Sequence, residues 1–153
     1  MTSSTAPSAT EVKPKKALRK LAPKPTPETA FFWSEAAADR LVVRRCLNCM
    51  TRYFYPRDFC PACNSDNVDW LQCSGRATLY SYVIEHRPGP GFEEQGPYVV
   101  AVVELEEGPR MMTNIVGVAP DPDLLPLDMD LVVRFEERGD TKVPVFQPAR
   151  STS

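Results

Sequence analysis

Short hydrophobic runs separated by turn residues dominate the chain after residue 70. The runs are rich in aromatic and β-branched side chains, a pattern typical of β-strands. Two of them are long, Ala77–Ile84 and Tyr98–Leu105, and the second is so continuously apolar that we expect both of its faces to be buried. The shorter predicted strands are Trp70–Gln72, Arg110–Val116, Leu131–Phe135 and Val143–Phe146.

Five or six short strands within about 80 residues are typical of a small closed barrel, and their size and number fit an OB-fold. We place this barrel at residues 70–148, with a short tail at 149–153. The Glu106–Pro109 segment predicts a hairpin turn. Residues 86–97 carry three of the chain's glycines between two strands, which predicts a mobile loop at the barrel rim.

The segment before the strands has a different pattern. Residues 28–42 predict a short helix followed by a lead-in strand, because Pro27 precedes helix-favouring residues and an alanine run. Phe31, Phe32 and Trp33 are adjacent, so one helix face cannot bury all three. Either the helix lies across a groove or part of this aromatic cluster contacts another protein.

Residues 1–27 have the composition of a disordered basic tail. They carry six basic residues against one acidic residue, are rich in Ser, Thr, Ala and Pro, and lack aromatic residues. We interpret them as a solubilising extension, with a tether or a leader peptide as alternatives. Residues 28–153 carry twelve basic and nineteen acidic side chains, a net charge of −7. A body this acidic disfavours generic nucleic-acid binding.

Four cysteines carry the most specific chemistry. Cys46 and Cys49 form one C-x-x-C pair, and Cys60 and Cys63 form a second after ten intervening residues. Two thiolate pairs at this spacing converge on one tetrahedral ion, so residues 43–69 are predicted to form a zinc ribbon. A shell of four thiolates leaves no open coordination position, and the expected role of zinc is therefore structural.

The local sequence of each pair fits such a site. We expect Asn48 and Asn64 to adopt the left-handed backbone conformation that metal knuckles need. Backbone N–H groups in the two turns are expected to donate hydrogen bonds to the sulfurs. The Tyr53–Arg57 segment between the pairs predicts a hairpin that covers the metal.

Other interpretations of the four cysteines stay open. Disulfides need an oxidising compartment, and no secretory signal precedes residue 46, so we expect a reducing, cytoplasmic context. Iron bound by the same four ligands would make the chain an electron carrier. A metal-free knuckle is the third alternative.

No catalytic set emerges from the residues. The chain has a single histidine, His86, which we interpret as a surface residue. Cys73 is interpreted as a small buried hydrophobic residue. Glu93 and Glu94 flank the glycine-rich loop and are expected to face solvent. No hydrolase, phosphate-binding or metalloprotease motif is present, so we predict no catalytic residues and a binding module.

Two longer strings give a resemblance to a known family. Ser74-Gly75-Arg76-Ala77-Thr78-Leu79-Tyr80-Ser81-Tyr82 follows the ribbon, and the second string runs from Pro97 to Arg110, PYVVAVVELEEGPR. Together with the aromatic helix and the ribbon, they resemble the DUF35 family of zinc-ribbon and OB-fold proteins over residues 28–148. The implied fold is mainly β, with an N-terminal helix, a rubredoxin-like zinc ribbon and a five-stranded OB-fold barrel.

The resemblance also implies a function. Proteins of this family are acyl-CoA-associated accessory subunits that dock on thiolase-like enzymes, including aldolases and acyltransferases, and sterol side-chain degradation is one setting. The partner would carry the catalytic residues, and the barrel would help to form its acyl-CoA site. The resemblance carries over residue by residue only for the four cysteines, and the residues that contact CoA stay unknown. Candidate cations for its phosphates are Arg44, Arg45, Arg52, Arg57, Arg76, Arg87 and Arg110.

Two alternative functions remain. The chain would instead partner a MaoC-like enoyl-CoA hydratase, which the same resemblance allows. A different class is a single-stranded nucleic-acid-binding protein, because OB-folds stack bases on aromatic side chains. The candidate platform consists of Tyr80, Tyr82, Tyr98 and Phe135.

Overall fold

The structure is a computed structural model that describes residues 19–150. The described chain contains one α-helix and eight β-strands, which confirms the mainly β prediction. In chain order they are α1 (Ala30–Ala37), β1 (Val42–Cys46), β2 (Arg52–Tyr53), β3 (Val68–Gln72), β4 (Arg76–Glu85), β5 (Tyr98–Leu105), β6 (Arg110–Ile115), β7 (Asp130–Arg138) and β8 (Thr141–Pro148). No helix within residues 19–150 is long and apolar enough to span a bilayer.

The first three strands form a small antiparallel sheet in the order β2-β1-β3. Strand β1 lies at its centre, where Val42, Val43 and Cys46 are buried. Strand β3 pairs with β1 along five residues, from Val42 opposite Gln72 to Cys46 opposite Val68. The predicted boundary at residue 70 therefore falls inside a strand that belongs to the ribbon sheet.

The remaining five strands close into a barrel in the order β4-β5-β6-β8-β7, with β7 pairing back onto β4. This is the five-stranded OB-fold topology that the sequence predicted. One pairing is short: β6 and β8 run parallel and meet only at Ile115 and Phe146. The two strands are therefore joined near one end of the barrel only.

Strand β5 shows why a continuous apolar run was ambiguous. Its inward side chains are fully buried: Val99, Ala101, Val103 and Leu105. The alternate side chains are only half-buried, which corrects the expectation that both faces are buried. Period-two alternation is present in the burial but hidden in the sequence, because the central outer positions, Val100 and Val102, are also valines.

Helix α1 packs against β8 and closes the side of the barrel that β6 and β8 leave unpaired. Phe32 is fully buried in the same hydrophobic core as Leu79, Val103 and Phe146. The carbonyl of Trp33 accepts a hydrogen bond from the Thr141 hydroxyl at 3.2 Å. The helix thus lies across a groove, one of the two arrangements expected from its adjacent aromatic residues.

Part of the predicted tail lies against the barrel. Residues 19–26 have no regular secondary structure, yet Lys20 bonds Glu136 of β7 through a 2.8 Å ion pair. This differs from the expectation of a disordered segment up to residue 27, because one partly buried ion pair fixes the chain locally. The expectation for residues 1–18 lies outside the described residues, as does that for 151–153.

Candidate metal centre and neighbouring surfaces

The four predicted ligands converge. The sulfurs of Cys46, Cys49, Cys60 and Cys63 all lie within 4.8 Å of one another. The Cys46–Cys63 and Cys49–Cys60 sulfur pairs are each 3.6 Å apart. A tetrahedron with Zn–S bonds of about 2.3 Å has edges of about 3.8 Å, so the sulfurs already stand at the separation a zinc ion needs. The distance is much longer than the S–S bond of a disulfide, about 2.05 Å.

Two turns aim the sulfurs inward. The N–H of Cys49 donates to the Cys46 sulfur at 3.5 Å, and the N–H of Ala62 donates to the Cys60 sulfur at 3.4 Å. These are the predicted N–H···S bonds, which spread the negative charge of a thiolate. The residues with left-handed backbone are Met50 (φ 63°) and Asn64 (φ 59°), each directly after the second cysteine of its pair.

The prediction is therefore confirmed for Asn64 and wrong for Asn48. The reversal of chain direction occurs after the pair rather than within it. Asn48 instead links the two turns through its side chain. Its amide donates to the Ser65 hydroxyl at 2.8 Å and accepts from the Asn67 amide at 3.1 Å.

The cysteine thiols differ in pKa. Hydrogen bonds from the hydroxyl and backbone of Thr51 lower the pKa of Cys49 to about 6. The backbone of Ser65 lowers the pKa of Cys63, but the adjacent sulfur of Cys49 and burial outweigh it and raise that pKa to about 12. Four neighbouring thiols cannot all ionise by themselves, whereas a divalent cation among them would deprotonate all four. The donor set therefore fits a Zn²⁺ ion.

The metal centre has its own small core. Cys46, Cys60 and Tyr53 pack together with Val68, separately from the core of the barrel. The Tyr53 hydroxyl donates to the Arg57 carbonyl at 2.6 Å and so fixes the segment between the cysteine pairs. Burial raises the pKa of Tyr53, with a smaller opposing effect from Arg44. Packing and this hydrogen bond therefore hold the cysteine-bearing turns together.

Most of the candidate arginines are already engaged. Arg44 is buried and contacts Asp58, while Arg45 forms a two-pronged ion pair with Asp69. Arg52 donates to the Glu107 carbonyl, and Arg110 pairs with Glu104. These four side chains hold the protein together. Within residues 19–150, no ion pair involves Arg57, Arg76 or Arg87.

The remaining candidate residues lie apart from the metal. His86 is exposed at the end of β4, and Glu93 and Glu94 are exposed on the glycine-rich loop. Cys73 is buried, as expected, and burial together with the nearby Glu107 raises its pKa to about 12. A thiol with so high a pKa is a poor nucleophile at neutral pH.

The four residues of the predicted base-stacking platform already make contacts within the protein, although Tyr80 is 47% exposed. Tyr82 and Phe135 pack against the core, and Tyr98 stacks on Phe92 at 4.6 Å between ring centroids. The guanidinium of Arg110 covers Tyr80 at 3.7 Å from the ring centroid. The nucleic-acid interpretation gains no support from these contacts.

An apolar groove that sequence reasoning missed lies where helix, ribbon and barrel meet. Its volume is about 480 Å³. Its walls are mostly aromatic and aliphatic: Phe32, Trp33, Phe54, Tyr55, Phe92, Tyr98, Val100, Met111, Met112, Val143 and Pro144. Only the adjacent aromatic residues of the helix gave a sequence signal for it, because the other walls come from distant parts of the chain.

The fold and the site define a small protein in which a four-cysteine zinc ribbon is joined to an OB-fold barrel. Residues 33–69 match the family model described as "ChsH2, rubredoxin-like zinc ribbon domain". Residues 70–136 match the model "ChsH2, C-terminal OB-fold domain". A DUF35 domain-containing scaffold protein of Methanocaldococcus jannaschii is 37% identical over 69% of this chain and 77% of its own length. The chain belongs to the DUF35 family, as the sequence resemblance predicted.

Two further similarities concern complexes with enzymes. A probable enoyl-CoA hydratase alpha subunit of Thermomonospora curvata is 42% identical over 92% of this chain. This chain spans only 43% of that relative's length. Among solved structures, a chain of the Ltp2-ChsH2(DUF35) aldolase superposes with a TM-score of 0.75 at 38% identity. That match covers 84% of this chain and all of the solved chain.

Proposed function

We propose that this protein is a non-catalytic subunit that docks on a thiolase-like aldolase or acyltransferase and helps to form its acyl-CoA site. One observation carries the proposal: the structure matches the whole length of a DUF35 chain that belongs to an aldolase. The described residues also hold no arrangement of nucleophile and base, with His86 exposed and Cys73 buried. The partner would therefore supply the chemistry.

The zinc ion has a structural role in this proposal. Cys46, Cys49, Cys60 and Cys63 are its proposed ligands, because their sulfurs stand at tetrahedral separations. When bound, the ion neutralises the thiolates and fixes the two turns to each other. The ribbon sheet then holds Trp70 against Phe31 of the helix, at 5.0 Å between ring centroids.

An exposed apolar face of the barrel supports docking on a partner. On the outside of β4, β5 and β6, Val83 stands beside Val100, and Met112 stands beside Val102. Val83 is 63% exposed and Met112 is 71% exposed. Contiguous apolar side chains on a surface mark protein contacts. We name Val83, Val100, Val102 and Met112 the outer barrel face.

The unpaired arginines support acyl-CoA at the interface. Arg57 lies on the ribbon, whereas Arg76 and Arg87 lie at opposite ends of β4. Cations that make no ion pair within residues 19–150 are available for the phosphates of CoA. The acyl chain is not specified by these contacts, and sterol side chains remain one prediction among other lipids.

Reconstitution tests this function. The chain is co-expressed with a thiolase-like enzyme from the same organism, and the complex is assayed for carbon–carbon bond cleavage of acyl-CoA thioesters. Met112→Glu should prevent co-purification, because it places a charge on the outer barrel face. Leu127→Glu is the matched control, since Leu127 is 62% exposed but lies on the connection before β7. Full partner activity without this chain would contradict the proposal.

A second candidate follows from the hydratase relative. That protein aligns with 92% of this chain, so a MaoC-like enoyl-CoA hydratase is an alternative partner. The same reconstitution with a hydratase from the same organism, assayed for hydration of an enoyl-CoA, separates the two. The partner is the enzyme, thiolase-like or hydratase, that forms a stable complex with this chain and is activated by it.

A further inference from the structure

Two cavities of this protein meet at one aromatic ring. A cavity of about 250 Å³ lies at the barrel mouth, between the ends of β5 and β6 and the following loop. The apolar groove of about 480 Å³ is the second cavity. Phe92, Tyr98 and Asn114 line both. Phe92 comes from the glycine-rich loop, so a loop residue forms part of the wall between the two spaces.

Phe92 is held by three contacts. One face stacks on Tyr98, with ring centroids 4.6 Å apart and an interplanar angle of 23°. The ammonium of Lys20 lies 4.6 Å from the Phe92 ring centroid, and the guanidinium carbon of Arg138 lies 5.6 Å from it. Two cations near one ring are attracted by its negative face.

Residues 19–22, which we call the strap, bring Lys20 to this position. The Lys20 ammonium donates to Glu136 at 2.8 Å, and its side chain is only 17% exposed. Arg138 donates to the Leu21 carbonyl at 3.5 Å. The strap passes so close to Gly91 that a Cβ on residue 91 would lie 2.7 Å from the backbone nitrogen of Lys20. Strap, loop and β7 therefore form one latch.

Glycines flank the latched residue on both sides. Gly91 has φ +88° and Gly96 has φ +66°, values that side-chain-bearing residues adopt only with strain. Between them, Glu93, Glu94 and Gln95 are exposed. The loop thus has two hinges and is held to the body mainly through Phe92.

The groove beyond Phe92 has the character of a ligand site. Its volume lies within the range of about 300–1,000 Å³ of ligand pockets, and its walls are mainly apolar. Trp33 lines it, and the indole Nε1–H is buried without an acceptor among residues 19–150. A buried donor left unpaired costs about 1–3 kcal/mol.

We propose that residues 91–96 form a lid, latched by the strap through Lys20, Glu136 and Phe92, whose opening joins the two cavities into one cleft for an elongated apolar ligand. The inference goes beyond the docking role of the protein, and the groove shares Val100 and Met112 with the outer barrel face. Its tests use this chain without a partner, so it can fail while the proposed function stands.

Hydrogen exchange and dye binding test the latch on the zinc-loaded 153-residue chain. Lys20→Gln should speed amide exchange in residues 91–97 roughly tenfold, because an ion pair and a cation–π contact are lost together. The same variant should bind 1-anilinonaphthalene-8-sulfonate, an apolar probe with acceptor oxygens, several-fold more tightly. Lys24→Gln is the matched control, since Lys24 is exposed on the same segment. Unchanged exchange or dye affinity in Lys20→Gln overturns the proposal.

Two further variants test the latch at Lys20 and the location of the dye in the groove. Lys20→Arg keeps a cation for both Glu136 and the Phe92 ring, so it should keep the slow exchange that Lys20→Gln loses. Tyr55→Ala in the Lys20→Gln background should weaken dye binding again, because Tyr55 is an exposed wall of the groove. Fast exchange in Lys20→Arg overturns the latch. Dye binding that is unchanged by Tyr55→Ala overturns the cleft.

Discussion

Arg44 lies over the ring of Trp70, with its guanidinium carbon 4.4 Å from the ring centroid. The two residues are direct cross-strand neighbours in β1 and β3. Phe31 of helix α1 also contacts the Trp70 ring, at an interplanar angle of 43°. Trp70 therefore connects the metal ribbon to the helix that packs on the barrel.

Arg44→Met is expected to lower the free energy of unfolding by about 2 kcal/mol, the scale of a desolvated cation–π contact. Arg44→Lys should recover only part of this loss, because an ammonium lacks the planar stacking surface of guanidinium. Urea denaturation measures both. Arg57→Met, at an exposed arginine, is the control and should change stability little. Equal losses at both positions would contradict the role of the Arg44–Trp70 contact.

Phe32→Ala is expected to cost about 3–5 kcal/mol, because it opens a cavity in the shared core of helix and barrel. Phe32 is 1% exposed, whereas the adjacent Phe31 is 44% exposed. Phe31→Ala should therefore cost clearly less, although it loses the contact with Trp70. Thermal melts followed by far-UV circular dichroism distinguish the two. Similar melting temperatures for both variants would be evidence against helix burial.

Cys46→Ser is expected to abolish zinc binding and unfold the ribbon, because Cys46 is a fully buried member of the metal cluster. Cys73→Ser keeps all four proposed ligands and should retain one equivalent of zinc despite some loss of stability. Elemental analysis of the purified variants measures the metal. Zinc in Cys46→Ser at the wild-type level would exclude the proposed ligand set.

Chelation of the metal is expected to raise amide exchange in residues 43–69 more than in the barrel. The metal cluster has its own small core of Cys46, Cys60 and Tyr53, too small to stay folded alone. Structural zinc contributes about 10–16 kcal/mol in comparable peptides. An unchanged exchange pattern after verified metal removal would show that the ribbon does not depend on it. Visible absorption of the native protein would instead identify iron.

Acidification is expected to release the strap. Burial by itself raises the pKa of Glu136, but the hydrogen bond and charge of Lys20, with a contribution from Arg138, hold it below its usual 4.5. Because the pKa of Glu136 is lower in the folded strap than in the unfolded chain, the ionised carboxylate stabilises the strap at a pH above the unfolded-state pKa. This stabilisation is lost as the pH falls through the folded-state pKa. Exchange in residues 91–97, corrected for intrinsic rates, should rise below about pH 4. Glu136→Gln should remove this pH dependence.

The sequence by itself determined the features that depend on short-range patterns. Ligand spacing identified the metal site because a C-x-x-C turn is local. The barrel followed from the number and composition of the short strands, because each aromatic and β-branched run is itself a local pattern. The string from Ser74 to Tyr82 and that from Pro97 to Arg110 gave the family. The left-handed residue after the first pair was missed, because Met50 carries no propensity that would single it out.

Only the tertiary structure decided which charged and aromatic side chains are free. Arg44 and Arg110 had the same sequence signal as Arg57, yet cross-strand neighbours occupy the first two and leave the third without an ion pair within residues 19–150. The latch of Lys20 on Glu136 joins residues 116 positions apart. Contacts at such separations depend on how the whole chain closes the barrel, and no local pattern records them.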